Sequence, residues 1–217
     1  MASDIANHFS LVTRYTSLGM KLGLLGGTFD PPHFGHLHIA QAACDQLQLD
    51  QVLFVPAGVQ PLKQGQISSP PEHRARLVQL AIADQPCFAL SRLDLDRPGP
   101  HYTVDLLELV QRQHPGAALW FIMGEDSLSD LLRWREPARL ITLARLAVLR
   151  RPGYEPDWST LLSALPDLRA RLDWLNHAEI DISASDIRQR VKDGKPIDHL
   201  VPKAVIHYLT RHHLYAA

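Results

Sequence analysis

The chain holds only two cysteines in 217 residues, and they lie far apart: Cys44 in a helix-like pattern, Cys87 at the start of a strand-like one. They lack the close spacing of zinc ribbons and dithiol redox motifs, which predicts two buried free thiols in a reducing compartment. An excess of either charge is also missing. Lys and Arg total 22 against 23 Asp and Glu, a net charge of −1, so no basic field gathers nucleic acid. No apolar run approaches the roughly 20 residues a membrane helix needs. The first residues lack the apolar core and small-residue cleavage site of a secretory signal, so a cytoplasmic protein is expected, with no membrane and no nucleic acid among its partners. Internal repeats and low-complexity tracts are absent as well.

What is present is a 46% hydrophobic sequence, enough for a sizeable core in one domain. Residues 1–19 are polar and weakly periodic and stand before a Met20 that could itself open a chain; they are expected to be a non-catalytic extension. Residues 20–217 then alternate strand and helix patterns. Strands are expected at 21–26, 51–56, 87–91, 119–123, 145–149 and 178–182. Helices are expected at 34–47, 70–84, 102–114, 126–134, 137–143, 157–171 (interrupted at Pro166), 185–192 and 202–212. The strands are mostly continuous apolar runs, the mark of strands covered on both faces. The fold predicted is α/β, a doubly wound, Rossmann-like parallel sheet with a small helical C-terminal part from about residue 183.

The chemistry gathers near the start. Leu22-Gly23-Leu24-Leu25-Gly26-Gly27 runs into Thr28-Phe29-Asp30-Pro31-Pro32 and then His33-Phe34-Gly35-His36. Two glycines after a strand let backbone approach a ligand and expose N–H groups. Histidines three apart at a helix start share a face, and a helix N-terminus attracts anions. Such a corner suits the extra negative charge of a phosphoryl-transfer transition state. Zinc bound by His33, His36 and His38 competes weakly, because His36 and His38 point to different sides and no His-Glu-x-x-His is present.

Gly26 to Leu37 closely resembles the signature of the nucleotidyltransferase superfamily with the His-x-Gly-His motif, and within it the bacterial nicotinate-nucleotide adenylyltransferases. The resemblance runs from about Lys21 to the C-terminal region. It includes Met123-Gly124-Glu125-Asp126-Ser127-Leu128, Trp134, Ala147 to Gly153, and Ile182-Ser183-Ala184-Ser185-Asp186-Ile187-Arg188. It implies transfer of AMP from ATP to nicotinate mononucleotide, with Mg²⁺ carried in on ATP rather than by a protein metal site. His33, His36 and Arg188 are the implied catalytic set. Gly26, Gly27, Thr28, Phe29, Lys63, Gly124, Asp126, Ser183 and Ser185 would line the ATP side. Tyr102, Thr103, Trp134 and Arg135 would line the nicotinate side, Trp134 by stacking on the pyridine ring and Thr103 by donating to the carboxylate. Taken alone, Arg188 reads as a solvated helix face and Trp134 as core. The chain departs from the family at Leu62, where a His is usual, at His101, where Ser is common, and at Ala184-Ser185, where Ser-Thr is usual. Other acceptors (nicotinamide mononucleotide, phosphopantetheine) and a non-catalytic nucleotide sensor are the alternatives. Self-association stays open.

Overall fold

The computed structural model describes residues 19–58, 69–150, 153–176 and 182–216. Six strands form one sheet: β1 (Lys21–Gly27), β2 (Gln51–Pro56), β3 (Phe88–Leu90), β4 (Ala118–Gly124), β5 (Arg145–Leu149) and β6 (Leu172–Leu175). All pairings are parallel and the order is β3-β2-β1-β4-β5-β6. The chain winds outward from β1 to one edge, then returns to β4 and winds to the other. The predicted doubly wound parallel sheet is the fold observed. Its switch point lies between β1 and β4, where open α/β sheets place a ligand crevice at the strands' carboxyl ends.

Helices cover both faces: α1 (Phe34–Leu47), α2 (Pro71–Ala81), α3 (Thr103–Gln113), α4 (Glu125–Ser129), α5 (Pro137–Leu143), α6 (Trp158–Ala164), α7 (Ala184–Lys192) and α8 (Lys203–Arg211). Strand alternation divides the core between them. β1 sends Leu25 toward a cluster shared with Ala40 of α1, Leu77 of α2, Ile187 of α7 and Val205 of α8. It sends Leu22 and Leu24 to the other face, against Leu107 of α3, Leu140 of α5 and Leu161 of α6. The C-terminal helices therefore pack into the same core as α1 and α2.

Two elements differ from expectation. The helix expected over 126–134 stops at Ser129 and resumes as a short 3-10 turn, Leu131–Arg133. The helix expected over 157–171 with a break at Pro166 is α6 to Ala164 and then a 3-10 turn, Leu168–Arg171, and an unexpected strand, β6, follows at Leu172–Leu175. The sequence Leu-Asp-Trp-Leu hides this strand because Asp173 looks like a surface residue. The fold gives that carboxylate partners from two neighbouring strands: Trp120 Nε1 at 2.8 Å and Arg145 Nε at 2.6 Å. Burial pushes Asp173 up, but the bonds from Arg145 and Trp120 outweigh it and hold the carboxyl below its usual range. Most of the strand expected at 178–182 lies outside the described residues.

The two cysteines are not free. Cys44, on α1, and Cys87, just before β3, form a disulfide. The expectation of separate thiols failed because sequence distance hid their meeting place. The β2 start lies beside Cys87, whose carbonyl accepts the Val52 N–H at 2.8 Å, and the turn from α1 into β2 puts the Leu49 carbonyl near both sulfurs.

Candidate active site

β1 ends at Gly27, and a tight turn delivers the chain to His33, the N-cap of α1. The His33 N–H donates to His36 Nδ1 at 3.2 Å. That bond makes Nδ1 the acceptor of a neutral His36 ring and leaves Nε2 as its N–H donor. The two imidazoles lie face to face, 3.7 Å between centroids. Burial drives His33 down to about 4, so its ring is neutral near pH 7 and can act there as a hydrogen-bond donor but not as a cation. One amide of this helix start is already taken: the Phe34 N–H donates to the Leu200 carbonyl at 2.9 Å.

The glycines also do work that the sequence hides. A Cβ on Gly27 would come within 3.1 Å of the Phe29 ring, so the missing side chain makes room for the protein's own aromatic. Phe29 takes a positive φ of 52°, and its ring is buried beside Phe54 and edge-on to His36, 4.9 Å between centroids. With 1% of its surface exposed, the Phe29 ring offers nothing to a ligand. Gly26 is exposed at the carboxyl end of β1 and lies over Phe121 of β4.

The far wall comes from α7. Its cap is Ser183, whose Oγ accepts the Asp186 N–H at 3.0 Å, so the helix begins one residue earlier than expected and Ser185 is not the cap. Ser185 instead accepts from Arg188 Nη2 at 3.1 Å, while Arg188 Nη1 donates to the Asp30 carbonyl at 2.7 Å. The arginine, 158 positions downstream, therefore reaches the turn that leads into His33.

At the end of β4, the Asp126 carboxylate stands against the Cα of Gly124, where any Cβ would collide with it. Asp126 is exposed. Trp134 is half-buried and meets Phe121 edge-on at 5.7 Å, so it adjoins the Gly26 corner through that ring. Arg135 lays its guanidinium 4.8 Å above the ring of Tyr102, the N-cap of α3, and Thr103 opens that helix. These four residues come together as one group beside the crevice. Next to them His101 fills the space over Gly58, within 3.5 Å of the buried Asp94. Lys63 lies outside the described residues. Among the described residues, no three His, Cys, Asp or Glu side chains are placed to share a metal ion, which leaves the zinc alternative without a ligand set there.

Three residues of the same corner had no assigned role in the sequence reading. Asp30 and Arg74 are each 3% exposed, and the Tyr215 hydroxyl donates to Asp30 Oδ1. The available signal was Arg74 itself. It occupies the core face of α2 with Leu77, Val78 and Ala81, at a spacing that normally carries only apolar side chains.

A family model described as cytidylyltransferase-like matches residues 24–190. A relative from Roseiflexus sp. (strain RS-1), named "Probable nicotinate-nucleotide adenylyltransferase", is 48% identical over 89% of this chain and 97% of its own length. One of the same name from Thermomicrobium roseum is 48% identical over 90% of this chain and 91% of its own. Among solved structures, Plasmodium falciparum nicotinic acid mononucleotide adenylyltransferase complexed with NaAD superposes with a TM-score of 0.72 at 20% identity, covering 90% of this chain and 97% of that one, a likeness of fold.

Proposed function

This chain belongs to the nicotinate-nucleotide adenylyltransferase family, within the cytidylyltransferase-like group, and on that premise we propose that its β1–β4 crevice transfers AMP from ATP to nicotinate mononucleotide. The products are nicotinate adenine dinucleotide and pyrophosphate, in the route to NAD. A phosphate oxygen of the mononucleotide attacks the α-phosphorus of ATP in line, its bond to phosphorus forms as the bond to the β-phosphate bridging oxygen breaks, and pyrophosphate leaves. The nucleophile is already anionic, so no covalent enzyme intermediate is needed, and catalysis is positioning plus stabilisation of charge.

The observation that carries this reading is the bond from Arg188 to the Asp30 carbonyl, which sets a cation and the His33–His36 pair at one sheet corner. In this assignment the neutral His36 donates through Nε2 to the phosphate oxygens, His33 backs its ring, and Arg188 neutralises the leaving pyrophosphate. Lys63 is assigned to the triphosphate, Ser183, Ser185 and the backbone of Gly26 to Phe29 to the same side, and Gly124 with Asp126 to the adenosine. Trp134 stacks on the pyridine, and Tyr102, Thr103 and Arg135 supply donors and positive charge to the nicotinate carboxylate. A neutral carboxamide would match that set less well. Mg²⁺ belongs to the substrate, held by ATP phosphates and water. The described donor set suits that assignment, since the corner offers histidines and arginine but no carboxylate cluster. Working on ATP and a mononucleotide, the protein is assigned to the cytoplasm.

Pyrophosphate release from MgATP and nicotinate mononucleotide tests the reading. The protein should release it, with nicotinamide mononucleotide the poorer acceptor, and His36→Ala should lower kcat by about 100-fold or more with little change in Tm. Absence of release with both acceptors, or a His36→Ala variant turning over like the parent, contradicts it.

A further inference from the structure

The turn that leads into His33 and His36 is held by a polar node buried at the back of the site. The Asp30 carboxylate accepts the Ser69 N–H at 2.9 Å and the Tyr215 hydroxyl at 2.5 Å, while its backbone carbonyl accepts Arg188. Arg74 crosses from α2 and donates Nε to the Ser69 carbonyl at 3.1 Å and Nη1 to the Thr28 carbonyl at 2.9 Å. The node joins the Thr28–Asp30 turn, Ser69, α2 through Arg74, α7 through Arg188, and the C-terminal segment.

Nothing about core packing asks for this arrangement. A buried guanidinium on the apolar face of α2 and a buried carboxylate each carry a desolvation cost, and an apolar pair of the same shape would stabilise at least as well. Tyr215 sits at φ 65°, a conformation costly for an aromatic residue, in order to reach Asp30. Phe29, in the turn it grips, is also in the left-handed region. Burial and the Asp30 carboxylate push the Tyr215 phenol far up, so it remains a donor at every working pH. What a fully bonded buried network supplies is one geometry in place of several.

We propose, on the reading that this corner transfers AMP, that Tyr215 and Arg74 are positioning residues for the reaction: acting through the Asp30 carboxylate and the Thr28 carbonyl, they hold the Thr28–His33 turn in the register that sets His33 and His36 against Arg188. Neither touches substrate. Their effect is on where the histidine pair stands when charge builds on the α-phosphate, and small misplacements there are costly.

Tyr215→Phe keeps the ring and removes only the hydroxyl; Arg74→Lys keeps the charge and loses the paired donation to two carbonyls. Both should lower kcat by about tenfold while leaving KM for ATP and for nicotinate mononucleotide within about twofold, with Arg74→Gln worse than Arg74→Lys. Hydrogen exchange of the peptide covering residues 28–36 should quicken in Tyr215→Phe. A purely structural role predicts a lower Tm with kcat per folded molecule intact, and that result overturns the proposal, as does a loss carried wholly by KM. If the parent protein released no pyrophosphate, the transfer reading would fall. The exchange experiment would then decide alone: quickened exchange at 28–36 upholds the positioning role, and unchanged exchange ends it.

Discussion

His33 is where burial and charge meet most sharply. Its folded value lies near 4, against 6.5 for an unhindered imidazole. Between those two pH values the unfolded chain carries a proton on this residue and the folded chain does not. Folding is therefore weakened as pH falls through the window. The contribution is whole above pH 6.5 and gone below about 4, and it amounts to about 3 kcal/mol at most. Urea midpoints measured at pH 7.5 and 4.5 should differ by an amount that shrinks in His33→Asn; an equal difference in the variant would show that other groups carry the acid sensitivity. The same neutrality bears on chemistry. In the proposed transfer, positive charge toward the phosphates is assigned to Arg188 and Lys63, and the histidine pair to donors and shape. None of this is visible in a motif, which records that two histidines stand three apart and not that one lies on the other.

At the scale of elements, most of the winding was legible because the strands are short apolar runs and the helices amphipathic stretches, set off by Gly and Pro. α1, β2, α5 and β5 stand over the residues their patterns predict. Two of the misses share a cause: partners from elsewhere in the chain changed what Asp173 and the two cysteines are. Asp173 is acceptable in a strand only because Trp120 and Arg145 bond it. The start of α7 is a local miss: the helix was expected from Ser185, and Ser183 caps it earlier because its hydroxyl reaches the Asp186 amide three residues on. Cys44 and Cys87 become one covalent link between the end of α1 and the approach to β3. A loop of that length restricts the unfolded chain enough to stabilise the fold by about 4 kcal/mol. Unfolding in urea with and without a thiol reductant, beside a Cys44→Ala, Cys87→Ala double variant, should show the reduced protein and the variant losing stability together. Equal midpoints in all three would mean the link does not contribute. Because α1 also carries His36 at its other end, loss of the bond should loosen the C-terminal half of that helix first.

For the whole molecule, the order β3-β2-β1-β4-β5-β6 places the start of α1, the end of β4 and the approach to α3 around one crevice, and α7 returns to close it. The histidine motif and the marker around Arg188 could be recognised as parts of one site only through family resemblance; nothing local told them to meet. Of the polar node behind them only Arg74 left a trace, as a charge on the apolar face of α2, while nothing local tied Tyr215 or Asp30 to it. Asp30 is bonded to groups 39, 158 and 185 positions away. Contacts across spans of that length are expected to close after the local helices have formed. On refolding from denaturant with the Cys44–Cys87 bond intact, far-ultraviolet circular dichroism should therefore recover before pyrophosphate release does. Coincident recovery of the two signals would mean that the corner assembles with the sheet. Recovery in that order would mean that the molecule can look complete while the machinery at its strand ends is still unassembled.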